Sequence, residues 1–420
     1  MRRRVSFVFI AAALLASLAG NAPGVFGTAS QATPVATPGP GSVEVVAHGL
    51  TNPRGITWGA DGTLFVALSG VGGDHAGTIK APVVQVVGTL YGGKTASVVK
   101  VEDACPVTIA PNLPSTRDEG GVTVGAAAVT ILGDQMYVLI GGGGIVHGNP
   151  DTPNGVYRID ADGSVALVAD ISAFIRANPV AKPGGEQDYS PEGDPFGMIA
   201  DPATSVLWIT ESNSGQLLKV ELDGTITRVA DFSIDNSVPT AIILAPDGGV
   251  YVGFLTSVPF VDGFSKVVKV TPDGTVTDVW TGLTMLSAIS IGPDGSLYAL
   301  EMSTGNKPKP PFLNFESGKV LKQTGPDSSV EIATGLPLPT EMQFGPDGLL
   351  YLVYPGIAAA AGEGTIVRFA PDAEHVTTLA DLGATPATCA GTATPVSAAT
   401  PVQSPFTPST SSTPAATPAA

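Results

Sequence analysis

The sequence predicts an all-β chain: a single six-bladed β-propeller with four-stranded antiparallel blades, flanked by a signal peptide and a disordered Thr/Pro/Ala-rich tail. Three observations predict this. A strand–turn–strand unit occurs six times between residues 42 and 383, four of the copies built on an Asp-Gly turn. A second hairpin, alternating apolar and polar residues, follows it. The composition favours turns over long helices, with 52 Gly and 37 Pro against only 14% charged residues.

Residues 1–29 read as an export signal. Arg2, Arg3 and Arg4 precede an apolar run from Val5 to Ala19, and Gly27-Thr28-Ala29 offers a cleavage site before Ser30. The run is short for a membrane span, so an uncleaved anchor is the lesser alternative. Asn21, not a cysteine, follows Leu18-Ala19-Gly20, which argues against lipidation. Residues 30–41 form a linker carrying Thr33-Pro34 and Thr37-Pro38, and residues 384–420 form an uncharged tail in which Thr-Pro recurs. Such segments bury no core and stay solvated. The mature chain is expected to be secreted or held at the cell surface, monomeric and without a transmembrane span. The formal net charge of the full sequence, −17, argues against nucleic acid as a partner.

The propeller is expected over residues 42–383. Its repeated unit is clearest at Ile56–Val66, Ile242–Val252, Ile289–Tyr298 and Met342–Tyr351, with looser copies at Val129–Val138 and Met198–Trp208. Pro presets φ, Asp bonds nearby backbone and Gly supplies positive φ, so Pro-Asp-Gly between apolar runs is a hairpin signal. The second strand of each unit is nearly continuous in apolar residues, as a strand covered on both faces should be. The following hairpins, such as Val156–Val165, Leu218–Ile226 and Val268–Val276, alternate as outer strands do. Later units are spaced by roughly 43 to 53 residues, near the ~40–50 of one blade. The excess length early in the chain falls in Gly/Pro-rich stretches at 70–97 and 172–193. Tyr137, Trp208, Tyr251, Tyr298 and Tyr351 recur at equivalent positions and are read as packing between blades.

Two segments compete for one outer position in the last unit, Ser42–Ala47 and His375–Ala380. The N-terminal one is expected near the last blade. Closure of the ring also makes the first and sixth blades neighbours, and with them Cys105 and Cys389. A disulfide stapling the closure is therefore expected. Neither cysteine has a Cys or His partner at metal-ligand spacing in the sequence.

The order of motifs resembles the ScyD/ScyE family of secreted propellers, relatives of the NHL/SMP-30-like propellers. The residues that carry the resemblance are Asn52-Pro53-Arg54-Gly55, Gly193-Asp194-Pro195-Phe196-Gly197-Met198, Val238-Pro239-Thr240-Ala241, Phe254-Leu255-Thr256-Ser257-Val258-Pro259-Phe260 and Gly335-Leu336-Pro337-Leu338-Pro339-Thr340. It extends over essentially all of 42–383. It departs at Thr210-Glu211-Ser212-Asn213-Ser214, where the family has an Ala-Asp-Ala type of segment, and at Asp194-Pro195-Phe196, where it has Asn-Pro-Tyr. The resemblance brings no catalytic residues with it.

Function is sought where loops meet the central channel, because innermost strands hold side chains around one axis. Segments leading into the innermost strands place Arg54, Glu119, Asp194, Thr240, Ser287 and Glu341 there. Segments leaving the second strands add Asp74, His75, His147, Asn149, Glu211, Asn213, Glu301 and Asn306. Of these, Arg54, Glu119, Asp194, Glu211, Asn213, Glu301 and Glu341 form the candidate ligand set, with Asp194, Glu211 and Glu341 as a calcium site. One reading is a non-catalytic protein binding a small molecule, a glycan or a protein on this face. The alternative is a calcium-dependent hydrolase of a lactone or ester, as in lactonase-type propellers. Gly-x-Ser-x-Gly is absent, and Gly141–Gly144 lacks the Lys and the helix of a phosphate loop.

Overall fold

The repeated Asp-Gly turns adopt one local geometry. In each of Asp61, Asp162, Asp223, Asp273, Asp294 and Asp347, the carboxylate accepts the backbone N–H two residues on, at 2.9 to 3.2 Å. The glycine after each has φ between 77° and 93°, a left-handed conformation that a β-carbon disfavours. Each turn thereby reverses the chain within a few residues and pairs the flanking apolar runs.

The computed structural model describes residues 42–77, 89–183, 190–235, 237–309, 312–378 and 389. The expected signal peptide, its linker and the tail other than Cys389 lie outside the described residues. Six antiparallel sheets follow one another along the chain. Blade one contains Pro53–Trp58, Leu64–Leu68, Tyr91–Glu102 and Cys105–Arg117, extended by the two-residue strands His75–Ala76 and Thr123–Val124. Blade two is Ala126–Leu132, Gln135–Ile140, Gly155–Ile159 and Val165–Asp170, and blade three is Pro195–Asp201, Val206–Glu211, Gln216–Glu221 and Ile226–Asp231. Blade four is Pro239–Leu244, Val250–Phe254, Ser265–Val270 and Val276–Leu283. Blade five is Leu286–Ile291, Leu297–Glu301, Gly318–Gly325 and Ser328–Leu336. The result is a six-bladed β-propeller.

Two early stretches differ from the loops expected of them. Strand Tyr91–Glu102 begins inside the stretch 70–97, because its hairpin partner Cys105–Arg117 is equally long and pairs back to Tyr91. The stretch 172–193 begins inside a short helix, Ile171–Ala177, capped by the Asp170 carboxylate on Ala173 N at 2.7 Å.

Blade six is assembled from both ends of the propeller. Glu341–Phe344, Leu350–Tyr354 and Gly364–Phe369 come last in the ring, and Glu44–Leu50 from its beginning is the outermost strand. The competing segment goes elsewhere: Thr377–Thr378 pairs in parallel with Ser328–Leu336 of blade five. Arg368 holds the N-terminal strand in place. Its guanidinium reaches Glu44 at 2.7 Å and Asp347 at 2.9 Å.

Apolar clusters fill the gaps between successive blades, six in all among the described residues. The recurrent aromatics belong to them. Tyr298 of blade five meets Phe344 of blade six edge-on at 5.0 Å, and Tyr351 of blade six meets Trp58 of blade one at 5.1 Å. At the seam, Cys105 and Cys389 are joined by a disulfide. His48 of the N-terminal strand bonds the carbonyl of Ala104 beside it through its own N–H at 3.1 Å. In the unreduced protein no free thiol should titrate after denaturation, and Cys105→Ser should cost about 2–5 kcal/mol of stability, read from the urea midpoint. Two titratable thiols in the unreduced chain would remove the staple.

Candidate functional site

The innermost strands begin with short polar residues, and most of their hydroxyls are committed to the ring itself. Thr240 Oγ1 donates to Leu286 O at 2.6 Å, Ser287 Oγ to Pro339 O at 3.0 Å and Thr340 Oγ1 to Pro53 O at 2.9 Å. Each bond runs from one blade to the next. Thr240 and Ser287, expected on the channel face, do line the cavity, and their hydroxyls act as stitches.

The strands enclose a cavity of about 240 Å³ on the channel axis. Its wall is mostly aliphatic, with Val124, Ala128, Met198, Ile242 and Ile289 among the lining side chains and Phe196 the aromatic one. Three of the candidate residues come together in it: Arg54, Asp194 and Glu341. Gly55 makes room next to Arg54, since a β-carbon there would sit 2.9 Å from Ala128 Cα of the adjacent blade.

Arg54 is 7% exposed. Its Nε donates to Ser69 Oγ at 3.0 Å and its Nη2 to Thr123 O at 2.5 Å, and the Phe196 ring centroid lies 6.0 Å from Cζ. Burial draws its pKa down to about 10, opposed by the charge of Asp194, so the guanidinium stays cationic at neutral pH. Glu341 accepts the N–H of Met342 at 2.8 Å. Desolvation among the innermost strands pushes its carboxyl up to about 8. The channel thus presents a cation, the Asp194 carboxylate and a protonated acid at pH 7.

The other four candidates lie away from the cavity wall. Glu211 is fully buried and its two oxygens accept five donors: Asp194 N, Asn213 N, Ser214 N, Ser214 Oγ and Gln216 Nε2. It is a positioning residue, fixing the loop that carries Asp194. Asn213 Oδ1 accepts Ser190 N at 2.9 Å. Glu301, buried on blade five, accepts Thr284 N at 2.7 Å and faces Lys319 at 3.6 Å. Its desolvation outweighs that cation and raises its pKa to about 7. Glu119 is exposed and accepts Thr89 N at 3.1 Å.

The expected calcium ligands are not gathered at one point. Among the described residues, the one trio of His, Cys, Asp or Glu donors lying mutually within 4.8 Å is His48, Cys105 and Cys389, and there the two sulfurs are bonded to each other. The histidines expected near the channel are absent from the cavity wall. His147 is buried, donates from Nδ1 to Gly143 O at 2.6 Å and is held below its ordinary pKa by desolvation; His75 is exposed.

Sequence reasoning missed Thr123. It lines the cavity, is 3% exposed, and its hydroxyl has no hydrogen-bond partner among the described residues. Only its place in Gly-Gly-Val-Thr-Val-Gly, just ahead of a degenerate repeat, marked it beforehand.

No family model and no curated protein matches the chain. Among solved structures, it is similar to a PQQ-bound aldose sugar dehydrogenase from Streptomyces coelicolor, at 14% identity over 79% of this chain and 99% of that one, with a TM-score of 0.49. It is also similar to a calcium-binding regucalcin from Agrobacterium tumefaciens, at 15% identity over 82% and 99%, TM-score 0.47. A virginiamycin B lyase from Staphylococcus aureus is 16% identical over 78% and 98%, TM-score 0.43.

The raised pKa of Glu341 has a stability consequence. An unfolded chain releases this proton near 4.5, so between about 4.5 and 8 the folded state binds more protons and stability falls as pH rises. Glu301 acts in the same direction. Urea midpoints measured from pH 5 to 8.5 should decline less steeply in Glu341→Gln than in the parent chain. Parallel profiles would show that this carboxyl is not desolvated.

Proposed function

We propose that the chain is an exported, non-catalytic binding protein that holds a small molecule in its central channel. The observation that carries this reading is the cavity itself: a narrow, mainly apolar space in which a few polar groups converge, the usual design of a small-molecule site. Export is supported by the N-terminal sequence and by the paired cysteines, which suit an oxidising compartment. Among the described residues no helix is long and apolar enough to cross a membrane.

Catalysis is disfavoured by what the channel groups are bonded to. Acyl transfer needs a nucleophile within reach of a base, yet the hydroxyls of Thr240, Ser287 and Thr340 are tied to backbone carbonyls of the next blade. The hydrolase alternative needs calcium, which takes six to eight oxygens. With Glu211 saturated by donors, the set named for the ion contributes Asp194 and Glu341 alone, and that pair does not fit it.

Two measurements test this reading. Purified protein incubated with a small-molecule extract and desalted should retain a compound detectable by mass spectrometry, and Ile242→Trp, which fills the channel, should lose it. Retention undiminished in that variant would move the site off the channel. Excess calcium should shift the melting temperature by no more than about 1 °C relative to chelator, whereas an ion at 100 times its Kd would stabilise by about 2.7 kcal/mol. A shift of several degrees that disappears in Asp194→Asn would favour the ion instead.

A further inference from the structure

We infer that the channel ligand is a small monocarboxylic acid with an apolar body, its carboxylate seated on the Arg54 guanidinium and the Thr123 hydroxyl. This rests on the binding reading above and specifies its ligand.

A guanidinium has five N–H donors in a planar fork. Two of those of Arg54 are placed, on Ser69 Oγ and Thr123 O. Its Nη1 amino group makes no hydrogen bond among the described residues, and no acidic side chain among them lies within ion-pair distance of the guanidinium. Asp194 acts on it only from farther away. A buried cation without a bonded counterion is costly to maintain. The chain nevertheless places it on a cavity wall, held by a neutral hydroxyl, a carbonyl and, at 6.0 Å, the Phe196 ring.

Thr123 supplies the second, independent observation. Its carbonyl accepts from Arg54 Nη2, which places the residue beside the guanidinium. The residue lines the cavity, and its hydroxyl is buried and lacks a partner among the described residues. Two groups on neighbouring residues of the cavity wall, the Nη1 amino group and this hydroxyl, thus lack an acceptor among the described residues. A carboxylate offers two acceptor oxygens and one negative charge, which satisfies both and neutralises the cation.

The rest of the wall restricts the ligand further. Asp194 repels a second negative charge, so a monoanion is preferred over a phosphate dianion. Elsewhere on the wall, Met198, Ile242 and Ile289 give an apolar surface with no donor or acceptor to match a polyol, and Phe196 lies beside the guanidinium. A sugar acid would leave its hydroxyls unpaired there.

The test is calorimetric titration of the full chain at pH 7 with hexanoate, cyclohexanecarboxylate and benzoate, each against its primary amide, and with inorganic phosphate. At least one acid should bind, its amide should bind roughly tenfold or more weakly, and phosphate should not compete. Arg54→Gln should cost the acid at least that factor while leaving the amide unchanged, and Thr123→Val should weaken the acid several-fold. The comparison of acid with amide needs no variant, so it holds even where Arg54→Gln does not fold. Equal binding of acid and amide overturns the inference, as does an acid affinity indifferent to both substitutions or no binding of any acid. If the acids fail while an extract compound is retained and lost in Ile242→Trp, the carboxylate seat falls and the channel reading stands. If nothing is retained either, both fall.

Discussion

Burial of both faces of every blade against its neighbours is the constraint on which the molecule depends. A four-stranded sheet with two apolar faces is insoluble by itself, and radial closure is what hides all twelve faces at once. Six apolar clusters, one in each gap, accomplish this. Five gaps are filled by chain-adjacent blades, and the sixth requires the two ends of the propeller to meet. The fastenings concentrate there: the strand Glu44–Leu50 in blade six, Arg368 bridging Glu44 and Asp347, and the Cys105–Cys389 disulfide. Asn52 adds another, accepting Ala359 N and donating to Gly70 O. Closing so long a loop is entropically expensive, so redundancy at the seam has a clear physical reason.

Closure also decides which polar groups are left to bind anything. Innermost strands converge, and their first residues face one another at hydrogen-bond range. Short hydroxyl side chains at those positions reach the adjacent blade's carbonyls, which would otherwise be buried unpaired. Larger polar residues at equivalent positions are too long for that bond and extend to the cavity wall instead. Arg54 is of this kind on blade one, whereas Glu341 follows the stitching Thr340 on blade six and Asp194 directly precedes blade three.

The fold was legible because its signals are local and repeated. Asp61-Gly62 and its five counterparts report a hairpin through turn chemistry alone, and the runs Val206–Glu211 and Leu350–Tyr354 report burial on both faces. Strand partners across the seam were less legible. Ser42–Ala47 and His375–Ala380 have similar alternation, and only the blade they pack against separates them. For the site, Arg54, Asp194 and Glu341 could be placed on the channel because they directly precede or open innermost strands. Glu211 could not be told from them, since sequence does not reveal that its carboxylate is saturated by N–H and O–H groups of its own loop. Thr240 and Ser287 were rightly placed on the channel, but the bonds of their hydroxyls were hidden, as their acceptors belong to the next blade. Thr123 was hidden for the opposite reason: an unpaired hydroxyl is defined by absent neighbours, which only coordinates display.

The position of Arg54 links these two levels. It follows Pro53, whose carbonyl accepts the Thr340 hydroxyl across the seam, and it lies two residues beyond Asn52, which is bonded to the blade-six loop at Ala359. The cation that faces the channel is therefore mounted on the first strand after the closure. Asp194 is mounted separately, on the blade-three loop that Glu211 fixes through Asp194 N. Their separation across the channel is consequently set by how blades one, two and three dock on one another. A ligand held by Arg54 and packed on Phe196 and Ile242 would touch blades one, three and four together, and its binding energy would act to keep the ring closed. Ligand affinity and integrity of the seam should then be coupled properties of one structure, with the disulfide holding Arg54 in register whether or not the channel is filled.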